Sequence, residues 1–253
     1  MRRTGLRALL AAACFALPAG ACSAASLAST PLTPGAILER YEASLAALKR
    51  PRLLSFDYSV EQLGLENMEQ THRVYRSGLN ERDETLVVDG FTLPRPAVRI
   101  IANRLYRYDI EAVAPTSAAY AFAYSGVALD ADGGGSSYVF RTKPSVEGAF
   151  TVSEIEIDTR SYLPKVVRFK ISGDGAHGSG ELLYGRAESY WVVRQAQVNA
   201  HLTSGALAHE RITWSNYQFP IALPPSTFEV PRATTIDPES LATPAPTPDS
   251  GQP

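Results

Sequence analysis

Histidines, a lone usable cysteine and a few spaced carboxylates are the residues of this 253-residue chain that could carry chemistry. His201 and His209 stand symmetrically about Gly205 in an apparent hairpin, so a turn centred there would face them across a ladder. Two imidazoles fall short of a zinc site, which takes four protein ligands or three with a water. His72 and His177 have no evident partner, and His177 lies in the turn-rich run from Ser172 to Gly180. Asp130 and Asp132 beside Gly133, Gly134 and Gly135 lack the terminal glutamate of an EF-hand loop, and no lysine or helix follows to cradle phosphate, so a hairpin loop accounts for them. Glu154, Glu156 and Asp158 alternate with Ile155 and Ile157. Carboxylates repeating along one strand describe the wet side of a half-buried sheet, whereas a glycosidase sets two across a cleft, about 5 to 9 Å apart. The chain has no G-x-S-x-G elbow, H-E-x-x-H pair or P-loop. These readings imply neither an enzyme nor a cofactor.

Cys22 has a different chemistry. Arg2, Arg3 and Arg7 form a basic head, and the apolar run from Leu9 to Leu17 is broken by Pro18. That order reads as a secretory signal over residues 1–21. The run is too short to cross a hydrocarbon layer of roughly 30 Å, which takes about 20 apolar residues in a helix. Ala19, Gly20 and Ala21 before Cys22 fit the small-residue positions of a bacterial lipobox, with Cys22 as the lipid-attachment residue. Ordinary cleavage after Ala21 or Ala25 is the alternative. Cys14 falls inside the signal, so Cys22 would have no disulfide partner in the mature chain. Expected localisation is the bacterial envelope: the outer membrane facing the periplasm if Cys22 is lipidated, the soluble periplasm otherwise.

Composition narrows the partners. Three of the 24 basic residues precede Cys22 and none of the 26 acidic ones does, which leaves 21 against 26 and a formal charge near −5. Without a concentrated basic run, such a surface repels phosphate backbones, so nucleic acid is excluded as an expected partner. Residues 22–32, rich in Ser and Ala, read as a flexible spacer; residues 233–253, with Pro238, Pro244, Pro246 and Pro248, read as a disordered Pro/Thr-rich tail. One domain over 33–232 is expected between them.

The elements of that domain follow from periodicity. Thr33 and Pro34 start a helix whose Ile37, Tyr41, Leu45 and Leu48 recur on one side until Pro51. Phe56, Tyr58 and Val60 then alternate with Asp57, Ser59 and Glu61, as in a half-buried strand. Further strands are expected at 69–77, 82–88, 98–102, 105–112, 119–127, 137–142, 152–158, 165–172, 180–185, 190–202 and 207–218. No helical run of a dozen residues separates them, which excludes a parallel α/β fold. The twelve tyrosines and nine phenylalanines fall mostly at strand positions and fit either a plain core or the lining of an apolar cavity.

The order of these parts carries a resemblance. An export signal, one helix ending near Pro51, the segment Ser55-Phe56-Asp57-Tyr58-Ser59-Val60, then Tyr162-Leu163-Pro164, Tyr190-Trp191-Val192-Val193, Ile212-Thr213-Trp214-Ser215-Asn216-Tyr217 and Pro225-Ser226-Thr227-Phe228 resemble the periplasmic lipoprotein carrier and outer-membrane lipoprotein receptor superfamily, LolA and LolB, over residues 34–230. The resemblance implies a mainly β fold: a strongly curved, half-open antiparallel β-barrel wrapped around one or more α-helices. It further implies a non-catalytic cavity for acyl chains or the lipid of an acylated lipoprotein partner. Residues expected to line it are Ile37, Tyr41, Leu45, Phe56, Tyr58, Val60, Tyr106, Tyr108, Phe122, Phe140, Phe169 and Trp214. Gly90-Phe91-Thr92-Leu93-Pro94 is the nearest match to the receptor's protruding apolar loop. Two other classes stay open: a structural or stress-sensing envelope lipoprotein without lipid cargo, and an unrecognised periplasmic hydrolase.

Overall fold

A computed structural model describes residues 32–64, 67–102, 108–130, 133–173, 176–220 and 222–229. The chain divides into units Met1–Thr33 and Pro34–Pro253, and every element below belongs to the second. The expected signal segment, Cys22, Tyr106 and the tail beyond 230 lie outside the described residues.

Helix α1, Pro34–Ala46, buries Ile37 and Tyr41. Eleven antiparallel strands follow: β1 Leu53–Leu63, β2 Met68–Ser77, β3 Asn80–Val88, β4 Phe91–Ile101, β5 Tyr120–Leu129, β6 Ser136–Pro144, β7 Phe150–Asp158, β8 Pro164–Gly173, β9 Ala176–Ala187, β10 Tyr190–Leu202 and β11 Leu207–Gln218. A one-turn helix α2, Ile110–Val113, interrupts them, and a 3-10 turn, Pro225–Phe228, comes after. The expected strand at 105–112 is therefore not formed where it is described: Ile110 and Val113 instead bury their side chains from a helical turn.

All strands join one sheet in the order β4-β3-β2-β1-β11-β10-β9-β8-β7-β6-β5. This corrects the barrel expectation. The sheet is open, neither closed nor wrapped round a helix, with β4 and β5 as its two ends. Two causes are local. Pro94 and Pro96 take N–H donors out of β4, the strand that would have to close on β5. The 13-residue helix buries only two side chains, too small a face to curl eleven strands around.

Register separates a dry face from a wet one. Val60, Ile212, Ala196, Leu182, Val167, Ile155 and Phe140 are successive cross-strand partners on seven neighbouring strands. Ile155, Val167 and Leu182 in that row are fully buried. One residue along, the partners are Glu61, Arg211, Gln197, Glu181, Arg168, Glu154 and Arg141, on the wet face. Arg168 joins Glu154 at 2.5 Å, Glu156 at 2.8 Å and Glu181 at 3.6 Å.

Gly173, Gly178 and Gly180 are strand residues of β8 and β9, where a turn-rich linker was expected: Gly173 pairs with Ala176 and Ile171 with Gly178. Gly173 to Gly178 also spell G-x-G-x-x-G, but a hairpin follows rather than a helix, so there is no N-terminus to meet a phosphate. A Cβ on Gly180 would lie 2.5 Å from the Phe169 ring, and one on Gly178 would run into the Asn199 carbonyl. These glycines let β8, β9 and β10 approach. Gly178→Ala and Gly180→Ala should each cost about 1 to 3 kcal/mol of stability in urea unfolding, whereas Gly35→Ala, with open space around it, should leave the midpoint unchanged or slightly raised.

Candidate functional site

The dry face owes its character to alternating aromatic positions, which suit half-buried strands. Tyr41 of α1 meets Phe122 of β5 edge-on at 6.4 Å, and Phe122 meets Phe140 at 6.1 Å. Tyr41 donates its hydroxyl proton to the Pro115 carbonyl at 2.7 Å. Burial, with Glu42 adding to it, pushes the Tyr41 phenol far above its usual range, so it stays a neutral donor. Nearer the middle of the sheet, Tyr108 packs edge-on against Trp214 at 5.4 Å, and its carbonyl accepts from the Tyr184 hydroxyl at 2.9 Å.

Several expected lining residues are thus held by one another. Ile37, Tyr41, Phe56, Phe140, Phe169 and Trp214 are buried; Leu45, Tyr58, Val60, Tyr108 and Phe122 are half-buried. The structure joins Tyr41, Phe122 and Phe140 in one group and Tyr108 with Trp214 in another. Phe56 turns towards Tyr58 at 6.4 Å and Tyr217 at 5.4 Å, while Phe169 stacks with Phe150 at 4.8 Å.

Apolar side chains nevertheless reach solvent at the β5 end of this face. Tyr124 is 42% exposed, Val127 55%, Leu129 80% and, on β7, Phe150 40%. Tyr124 is the cross-strand partner of buried Phe140, and Val127 leads through half-buried Tyr138 to buried Ile157, so these two continue buried rows; Leu129 faces half-buried Ser136, and Phe150 packs on buried Phe169. Two grooves lie elsewhere. One of about 290 Å³ on the wet face is lined by Ser153, Arg168, Glu181, Gln197 and Asn199 among others. The other, about 300 Å³, runs between Leu48 and Trp191 at the end of α1.

Sequence reading missed a polar cluster at the opposite end of the dry face. His72 Nδ1 lies 2.9 Å from Asp83 Oδ1, Tyr58 donates to Asp83 Oδ2 at 2.9 Å, and His72 Nε2 lies 3.0 Å from the Gln70 side-chain oxygen. The Tyr58 and His72 rings stack at 4.5 Å. The signal was present in the two-residue turn at Gly78 and Leu79, which pairs Ser77 with Asn80 and so brings His72 beside the strand of Asp83. Burial raises the Asp109 carboxyl above its ordinary value, against the pull of Arg76 at 3.5 Å.

The histidine pairing differs from expectation too. His201 pairs with Leu207 and His209 with Asn199, because the turn is centred one residue before Gly205. His201 instead stacks on His177 of β9 at 5.4 Å, and His209 Nδ1 lies 2.6 Å from the Asn199 side-chain oxygen. Among the described residues no three His, Cys, Asp or Glu side chains converge as a metal cluster, and no helix is long and apolar enough to cross a membrane.

No family model and no curated protein matches the chain. Solved structures of distant likeness do. A DUF1329 family protein from Desulfovibrio piger is 12% identical over 76% of this chain and 97% of that one, with a TM-score of 0.41. A candidate outer membrane lipoprotein-sorting protein domain from Vibrio parahaemolyticus is 14% identical over 76% and 95%, TM-score 0.44. A LolA superfamily protein from Nitrosomonas europaea is 13% identical over 78% and 98%, TM-score 0.38.

Asp83 is the acceptor that Tyr58 and His72 share. Asp83→Ala should lower stability by about 1 to 3 kcal/mol. A double-mutant cycle with Tyr58→Phe should give a coupling of at least about 0.5 kcal/mol, while additive losses would show that the three residues do not act together.

Proposed function

We propose that this chain binds acyl chains, free or carried on a lipoprotein, against the β5 end of its dry face, in lipid or lipoprotein traffic at the bacterial envelope. One observation carries the reading: Tyr124 and Val127 stay in solvent although their rows are buried at Phe140 and Ile157, and Leu129 beside them is 80% exposed. Contiguous exposed apolar surface marks a binding surface more often than chance. Each methylene that leaves water there contributes about 0.8 kcal/mol, so a chain of a dozen carbons can be held without any catalytic group.

The site is an open shelf rather than an enclosed cavity. Tyr41, Phe122 and Phe140 form its floor beside α1, which turns the expected lining residues into support for the ligand surface. Lipidation of Cys22 is part of the same proposal, supported by the small residues Ala19, Gly20 and Ala21 before it. The tether would keep the shelf beside a membrane that supplies its ligand, and an unlipidated chain would work free in the periplasm.

Glu154, Glu156 and Glu181 on the wet face are held by Arg168 in ion pairs, which gives a structural role to groups a hydrolase would need free.

Val127→Glu with Leu129→Glu should abolish uptake of a fluorescent fatty-acyl probe and leave the urea midpoint within error, since both side chains already face water. Equal uptake by this variant and the unaltered protein would refute the shelf. Separately, Cys22→Ser should move the protein from the membrane to the soluble fraction; unchanged fractionation with an unmodified amino terminus would refute the tether.

A further inference from the structure

The two ends of the sheet are unlike. β4 carries Pro94, Arg95, Pro96 and Arg99, the residues that blunt an edge against other strands. β5, Tyr120-Ala121-Phe122-Ala123-Tyr124-Ser125-Gly126-Val127-Ala128-Leu129, has neither a charge nor a proline. Among the described residues it has a strand on one side only. Ladder phase shows which backbone groups face outward. Ser145 N donates to Ala119 O at 2.8 Å, and the two residues face each other one step beyond the Tyr120–Pro144 pair, so Ala121 and Ala123 bond towards β6. Phe122 and Tyr124 then turn both N–H and C=O to the open edge. Tyr120 turns its carbonyl there, its N–H being taken by Thr116 O at 2.9 Å.

We infer that β5 pairs antiparallel with β5 of a second copy of this chain, about a two-fold axis through Phe122. The sequence around that axis reads the same in both directions, Tyr-Ala-Phe-Ala-Tyr. Phe122 meets its counterpart with N–H and C=O both outward, and the Tyr124 N–H meets the free Tyr120 carbonyl of the other copy. Ala121 falls opposite Ala123, with no bulk and no charge to oppose. The same operation on β4 about Ala97 would set Arg95 against Arg99, like charge against like. The bulge at Ser125, between Tyr124 and Gly126, ends the pairing, so the contact spans five residues and the dimer is concentration-dependent. The contact is made by the backbone edge of β5, whose Phe122 and Tyr124 side chains also border the apolar shelf; association is read by sedimentation and acyl binding by probe uptake, so the failure of one is distinguishable from the failure of the other.

Sedimentation velocity of the full chain across a micromolar to submillimolar series tests it, with thermal melting of each variant to establish folding. The unaltered chain should move from one to two copies. Ala121→Lys with Ala123→Lys sets lysine against lysine at both exposed positions and should weaken association at least about tenfold. Ala121→Lys with Ala123→Glu sets opposite charges together in the dimer and should restore it. A monomer throughout, an edge occupied by another protein, or a dimer indifferent to which charges are installed would each overturn the pairing.

Discussion

Register across β6 to β11 and β1 is the constraint on which the rest of this structure depends. An apolar row from Val60 to Phe140 and a charged row from Glu61 to Arg141 run side by side over seven strands. A slip of one residue in β8 would put Arg168 where Val167 is fully buried and set Val167 among Glu154 and Glu181. It would cost an ion-pair network and the core together. On either side of neutral Gln197 the wet row alternates sign, so correct pairing sets opposite charges together. Surface pairs of this kind contribute little stability singly. Their use here is in making the wrong register worse.

Strands whose pattern is local and uninterrupted were legible in the sequence. Tyr190–Leu202 and Leu207–Gln218 could be read to their ends, because long strand-forming runs flank a Thr-Ser-Gly turn. α1 could be read from Thr33, Pro34 and the spacing of Ile37 and Tyr41. Elements that depend on partners far away could not. β4 begins at Phe91, where the sequence offers Pro94 and Pro96, and only its place at the sheet edge makes those prolines tolerable. Closure into a barrel is the extreme case, since it depends on whether two strands distant in sequence find each other. The residues that argue against it are the same prolines.

The candidate site shows the same division. That the aromatics share a face follows from alternation alone, but which are packed and which reach water does not. Phe140 and Tyr124 are cross-strand partners with similar chemistry, yet one is buried and the other 42% exposed. The difference is position: Phe140 has strands on both sides and Tyr124 lies on an end strand. The histidines show how small an error matters. Centring one turn on Gly205 instead of one residue earlier exchanges His209 for Leu207 opposite His201, and the real neighbour, His177, comes from the strand on the other side.

An open sheet of this size has to resolve two problems that a barrel avoids. It must end somewhere, and it must cover its dry face. The β4 end is blunted by proline and arginine, and the nearby dry face carries the His72, Asp83 and Tyr58 cluster, whose polar groups bond one another. The β5 end has neither device. Its edge is uncharged and its dry face still presents Tyr124, Val127 and Leu129 to solvent. Among the described residues one end of the sheet is protected twice over and the other is not, which is why both proposed interactions fall at the β5 end: the strand edge offers hydrogen bonds and the adjoining face offers apolar area.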